Sequence, residues 1–308
     1  MGCEGLGVGH RQVQVNGIEL HVAELGSGQP VVLCHGFPEL WYSWRHQLPA
    51  LAGAGYRAIA LDMRGYGESS IPATVEAYDV LTLCNDLLGL LDDLNEKRGV
   101  FVGHDWGAGV VWQLAVVHPD RVAAVVGMSV PFAPRPSRPV VGRLREAMGE
   151  GFYIVWFQRP GVADAAFSRD VRRTLTTRKP WGPRWPQEDE PPTRPPWLTE
   201  HDLRVYVEAF ERTGFTGALN YYRNLDRNWE LTAEFAEFRV ERPALFITGS
   251  RDPVSSFFPA EAMDGWVTDL REKVVIDGAG HWIHVDRPTE LERCMVRAVR
   301  GESGEAPD

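Results

Sequence analysis

Apolar residues along this chain fall into two alternating patterns. Short unbroken runs at 30–34, 56–61, 99–102, 122–128, 244–248 and 273–276 read as strands buried on both faces. Between them lie stretches with helical spacing. The clearest is 80–94, where Leu83, Leu87, Leu90, Leu91 and Leu94 share one face. Residues 108–117 and 259–268 read as further helices, and a final one starts near Pro288. Ahead of these, 13–25 reads as two short strands turning at Asn16-Gly17. Buried strands alternating with helices predict an α/β fold, a mostly parallel sheet with helices on both faces.

After Pro131 the character changes. Residues 134–145 are rich in Pro and Arg, and the next hundred or so carry helical patterns broken by Pro-rich loops. The longest irregular stretch, 180–197, holds seven prolines together with Trp181, Trp185 and Trp197, and reads as a proline-stiffened lid loop. Thr199 and Asp202 form a capping box for a helix reaching about Arg212. The expected layout is a first core segment at 1–133, an inserted helical lid at 134–239 and a second core segment at 240–308, its last residues 301–308 a frayed tail.

Charge and cysteine content narrow the partners. Acidic residues number 42 against 32 basic ones, a net charge of −10, which argues against nucleic acid or an anionic membrane surface. The apolar runs are too short to span a bilayer, and the first ten residues lack the features of a secretory leader. Cys3, Cys34, Cys84 and Cys294 form no CxxC or Cys/His cluster. Reduced thiols, no metal, no cofactor and a cytoplasmic location are the expectation.

The candidate chemistry starts at Gly103-His104-Asp105-Trp106-Gly107, between a buried strand and a helix. Small residues two positions either side of the central one permit a sharp turn that lifts its side chain above the sheet. A serine there would attack carbonyl carbon. Aspartate suits displacement at saturated carbon and leaves an alkyl ester that must be hydrolysed. That task needs a base for water, an acid to orient the base, and N–H donors for the oxyanion. Strand 273–276 runs into Asp277-Gly278-Ala279-Gly280-His281-Trp282, which supplies the base, His281. Strand 244–248 runs into Gly249-Ser250-Arg251-Asp252-Pro253, which supplies the acid, Asp252. Asp277 is the rival acid and reads as a cap of its own loop. His104 should point away from the substrate atom that Asp105 attacks, while His35 and His284 read as structural. In His35-Gly36-Phe37-Pro38 the N–H of Phe37 can pair with that of Trp106 as the oxyanion donors. Asp62, Arg64 and Glu68 read as a charged turn that buttresses the core.

With these residues in place, the chain resembles the epoxide hydrolases of the α/β-hydrolase fold over nearly its whole length. The resemblance lies in the segment from His35 through Glu39 to Arg45, in Asp62-Met63-Arg64-Gly65-Tyr66-Gly67, in the Asp105 elbow and in Gly280-His281-Trp282. The order Asp105, Asp252, His281 is that of the family triad. Within the insertion, the segments 152–161 and 213–224 resemble the two lid segments that carry ring-opening tyrosines, and place them at Tyr153 and at Tyr222 rather than Tyr221. Arg159 departs from the acidic or neutral residue expected there.

The resemblance implies that Asp105 attacks an epoxide carbon while Tyr153 and Tyr222 hold the oxygen. His281 then activates water to release a vicinal diol. A small apolar epoxide and water would be the only reactants, with a homodimer left open. Two other readings stand beside it: a haloalkane or haloacid dehalogenase using the same Asp–His–Asp machinery, and a non-catalytic ligand receptor on this fold.

Overall fold

A computed structural model describes residues 7–177, 182, 183 and 193–300. Among them, eight strands form one sheet: β1 Gly9–Val15, β2 Ile18–Leu25, β3 Pro30–Cys34, β4 Arg57–Leu61, β5 Gly99–His104, β6 Val122–Met128, β7 Ala244–Gly249 and β8 Leu270–Ile276. They lie in the order β1-β2-β4-β3-β5-β6-β7-β8. The pairs β1/β2 and β2/β4 are antiparallel, and the remaining pairs are parallel. Asn16 and Gly17 both take positive φ, 45° and 76°, the turn conformation that an Asn-Gly hairpin favours. The chain passes from β3 to β4 on one side and then crosses to β5 on the other. Such a switch point opens a crevice at the carboxyl ends of the central strands.

Helices α1 Gln47–Gly53, α2 Val80–Asp93 and α3 Trp106–Val117 belong to the first half of the chain. Helices α4 Val140–Met148, α5 Tyr153–Phe157, α6 Val162–Ser168, α7 Val171–Thr176, α8 Glu200–Thr213, α9 Thr216–Arg223 and α10 Leu225–Leu231 fill the insertion between β6 and β7. Helices α11 Ile283–Asp286 and α12 Pro288–Val299 follow β8. Alternate residues of each central strand enter different cores. Val32, Cys34 and Phe101 pack with Leu87 and Leu91 of α2 and Val111 and Leu114 of α3. Val31, Leu33, Val100 and Val102 pack with Leu48 and Leu51 of α1 and Leu291 and Met295 of α12. Burying both faces is why these strands read as continuous apolar runs.

The insertion is tied to the core by polar contacts as well as by packing. Thr199 and Asp202 form the expected capping box of α8. The spare oxygen of Asp202 accepts from the Tyr42 hydroxyl at 3.0 Å and pairs with Arg45 at 3.3 Å. Ser43 and Tyr206 share a hydrogen bond of 2.8 Å, and the Asn224 amide donates to the Val75 carbonyl at 2.6 Å.

Three expectations need correction or lie out of range. The helix read at 259–268 is a single 3-10 turn, Ala260–Met263. Gly265 at φ +76° breaks it, and Val267 pairs instead with Val240 in an isolated bridge. β1 and β8 each begin earlier than the apolar runs suggest, at Gly9 and Leu270. Both are edge strands with one solvated face, so polar residues such as Gln12 and Glu272 are admitted. Most of 180–197, including Trp181 and Trp185, lies outside the described residues. Among the described residues no helix is long and apolar enough to cross a membrane.

Candidate active site

Asp105 stands between β5 and α3 with φ +50° and ψ −116°, a conformation uncommon for a residue with a β-carbon. The turn requires its two glycines. A β-carbon on Gly103 would collide with the Gly107 backbone, and one on Gly107 with the Cys34 carbonyl. Gly36 lies so close that a side chain there would strike Asp105. This close approach lets the Phe37 N–H donate to Asp105 Oδ1 at 2.8 Å, and the Trp106 N–H binds the same carboxylate. The two N–H groups read from the sequence therefore converge on one group. Burial lifts the Asp105 carboxyl above the usual carboxylate range, while His281, His104 and both N–H groups pull it back. Its side chain keeps 16% of its exposure, enough for a small molecule to reach an oxygen.

His281 comes from the loop after β8 and Asp252 from the loop after β7. His281 Nε2 lies 3.7 Å from Asp105 Oδ2, too far for a direct hydrogen bond. On the other side of the ring, Nδ1 lies 3.2 and 3.3 Å from the two oxygens of Asp252. Asp252 Oδ1 also caps the following 3-10 turn, accepting from the Val254 N–H at 2.9 Å. Burial works to raise the Asp252 carboxyl, yet His281, the Ser129 hydroxyl and the Val254 N–H together hold it below the usual range. It therefore stays an anion beside the imidazole. Asp277 lies apart, accepting from Ser250 Oγ at 3.1 Å within its own loop.

The two tyrosines come from the insertion, Tyr153 at the start of α5 and Tyr222 in α9. Their ring centroids are 6.1 Å apart, and Trp106 meets Tyr222 edge-on at 4.9 Å. Burial raises both phenols above their ordinary value, and the Asp105 charge raises each further. Both are therefore protonated at neutral pH and can donate. Tyr221 is directed elsewhere, its hydroxyl donating to the Arg64 carbonyl at 2.8 Å. Arg159 is exposed at the end of the Tyr153 segment.

The competing histidines all have fixed partners. His35 bonds to the Gly36 carbonyl through Nδ1 at 2.9 Å and accepts from the Met63 N–H at Nε2. Asp62 accepts from His21, Trp41 N–H and Glu68 N–H, and Arg64 pairs with Asp86, the buttress expected of that turn. His104 and His284 share one buried carboxylate, Glu39. Its oxygens lie 2.7 Å from His104 Nδ1 and 2.7 Å from His284 Nε2, and its Oε2 also accepts from the Gly36 N–H. His104 Nε2 in turn lies 2.9 Å from the carbonyl oxygen of His281. Glu39 thus links the Gly36–Phe37 loop, through His104, to the loop that carries His281. No local spacing marks that role, because its partners lie 65 and 245 residues away. Glu39, His104 and His284 are the group among the described residues whose ligand atoms could surround a metal ion. The 2.7 Å spacings are those of shared protons, and hydrogen bonding accounts for the cluster.

The two histidines of this cluster are expected to give stability a pH optimum. Burial disfavours a charged His104, but Glu39 overrides it and raises the imidazole from 6.5 to about 9. Burial lowers its neighbour His284 from 6.5 to about 4. His104, raised in the folded state, contributes stability below pH 6.5 that is lost as pH rises through about 9. His284, depressed in the folded state, costs nothing above pH 6.5 but opposes folding as pH falls toward about 4. Thermal melts should therefore peak near pH 6.5 and fall on both sides. Each limb is on the order of 3 kcal/mol. His284→Gln should flatten the acid limb, and an unchanged acid limb would reject this account.

A carboxylate at the elbow after β5, a second carboxylate after β7 and a histidine after β8 make this an α/β hydrolase with aspartate standing where serine would. Residues 29–288 match the family model of the alpha/beta hydrolase fold. The chain is 46% identical to epoxide hydrolase A of Mycobacterium tuberculosis, over 94% of this chain and 97% of that one. It is 44% identical to epoxide hydrolase 2 of Siraitia grosvenorii, over 94% and 98% respectively. The crystal structure of epoxide hydrolase A from Mycobacterium thermoresistibile superposes with a TM-score of 0.89 at 45% identity, covering 96% of this chain and 98% of that one. The chain belongs to the epoxide hydrolases of the α/β-hydrolase fold, and it is an enzyme of that activity.

Proposed function

We propose that the enzyme opens its epoxide through a covalent ester on Asp105 and releases a vicinal diol. The observation that carries this reading is the carboxylate itself. It is held by the Phe37 and Trp106 N–H groups, with His281 Nε2 waiting 3.7 Å away and two protonated phenols nearby. In the first step an Asp105 oxygen displaces the ring oxygen from carbon, and Tyr153 or Tyr222 gives that oxygen a proton. In the second, His281 takes a proton from water at Nε2, and the water oxygen adds to the ester carbonyl carbon. The Phe37 and Trp106 N–H groups hold the resulting oxyanion. Collapse breaks the bond to the alkyl oxygen, which leaves with the proton from His281. The new Asp105 carboxyl returns its proton to the tyrosinate, and the resting state is restored.

Residues 134–239 act in this scheme as the lid, supplying both phenols to a site otherwise built by the core. Phe37, Phe157, Trp106 and Tyr222 surround the carboxylate side of the lid with rings 4.9–5.9 Å apart. An apolar epoxide suits such walls. The mechanism predicts where oxygen from water goes. In a single turnover in ¹⁸O-water with enzyme in excess, the label should enter Asp105 and the diol should be unlabelled. Label in the diol and none in the enzyme would mean direct attack by water, with no ester.

A further inference from the structure

Ser129 follows β6, the strand between the one that presents Asp105 and the one that leads to Asp252. Its φ is +67°, a strained region that residues with a β-carbon rarely adopt. Its N–H is fixed to the Ile247 carbonyl at 2.9 Å, and its side chain is buried. The strain aims the hydroxyl at one place. Oγ lies 2.5 Å from Asp252 Oδ2 and 2.9 Å from His281 Nδ1. Both Asp252 oxygens lie farther from that nitrogen, at 3.2 and 3.3 Å. The nearest polar neighbour of the base's Nδ1 is therefore a hydroxyl, not the carboxylate.

Proton counting fixes the direction. An ionised carboxylate only accepts, so the single Ser129 proton goes to Asp252 Oδ2. Oγ then has lone pairs left and accepts from His281 Nδ1–H. That arrangement selects the tautomer whose bare Nε2 faces Asp105. We infer that Ser129 is a positioning residue for the hydrolytic step, a hydroxyl bridge through which Asp252 orients His281 and supports its charge once it has taken a proton from water. Ser129 itself gains and loses no proton. The inference rests on the covalent reading above, in which His281 serves the second step and not the first.

A purely structural role for the hydroxyl, filling an Asp252 lone pair, makes a different prediction from the bridge. Ser129→Gly removes the hydroxyl and relieves the left-handed backbone, so a structural account expects equal or better stability and unchanged kinetics. The bridge expects the melting temperature held or raised, ester formation within about twofold of the parent, and ester decay slowed by ~10–100-fold. Ser129→Ala, which keeps the backbone strain, should slow decay to the same extent. Both rates are read by rapid quenching of enzyme mixed with excess styrene oxide, followed by intact-mass spectrometry of the alkyl-enzyme. His281→Gln serves as the reference in which the adduct should persist. Normal decay in both Ser129 variants overturns the bridge. So does slow decay in Ala with normal decay in Gly, which would assign the effect to strain. Equal slowing of both steps would make Ser129 a general packing residue. An absence of adduct in His281→Gln would instead remove the covalent reading, and this inference with it.

Discussion

Asp105→Ala is expected to lower diol formation by at least ~10⁴-fold, the scale seen when a nucleophile is removed from a triad enzyme. The variant should stay folded. Burial raises the Asp105 carboxyl, so that charge is held at a cost, and removing it relieves the cost. Against this, the Phe37 and Trp106 N–H groups lose their acceptor, each worth about 1–3 kcal/mol if left dry. The elbow is only partly buried, so water can replace the lost oxygen. What the variant cannot replace is the attacking atom. His281 Nε2 could still activate a water, and the phenols could still polarise the ring, so any residual activity would report that bypass. Diol assays over aryl and alkyl epoxides, with thermal melts alongside, provide the check. Activity within about tenfold of the parent would mean that the carboxylate is not the nucleophile.

Much of this site is legible in the chain because its parts sit where local rules act. The Asp105 elbow is announced by glycines that leave no room for a side chain, and Asn16-Gly17 by a turn that needs positive φ. Asp252 and His281 follow apolar strands, and a parallel sheet collects the ends of such strands on one edge. Distinguishing Tyr222 from Tyr221 drew on resemblance alone. Helical geometry gives the physical reason: adjacent residues lie about 100° apart, so the Tyr222 hydroxyl bonds with the Trp106 side chain while the Tyr221 hydroxyl is turned to the Arg64 carbonyl. What stayed hidden depends on contacts between distant segments. Nothing local marks Ser129, two positions before Pro131, and its contact with Asp252 exists only because β6 and β7 are neighbours. Glu39 lies inside a quoted segment, but its two histidine partners come from far along the chain. The missed stop at Gly265 is of another kind. The apolar spacing of 259–268 imitates a helix, and only the pairing of Val267 with Val240 shows that the chain is already heading into β8.

Replacing both lid phenols should be nearly as damaging as removing the nucleophile. Tyr153→Phe or Tyr222→Phe alone should slow ester formation by ~10–100-fold, because the other phenol still supplies a donor. The double variant should fall by ~10⁴-fold, since the ring oxygen would leave as an alkoxide with no acid beside it. Both changes keep the aromatic packing: Tyr153 contacts Phe152 and Phe157, and Tyr222 contacts Phe37, Phe157 and Trp106, all through their rings. Tyr222→Phe also removes the hydroxyl that bonds with the Trp106 side chain, but ring contacts with residues 221 and 222 keep Trp106 in place. Ester hydrolysis needs neither phenol as a donor to the ring oxygen, so single-turnover decay should change less than formation does. The same pair separates this chemistry from dehalogenation. A departing halide needs weak donors such as an indole N–H and not a proton, so a haloalkane-cleaving enzyme would keep its halide release in the double variant. Full diol formation in that variant would reduce Tyr153 and Tyr222 to packing residues and leave epoxide opening without its acid.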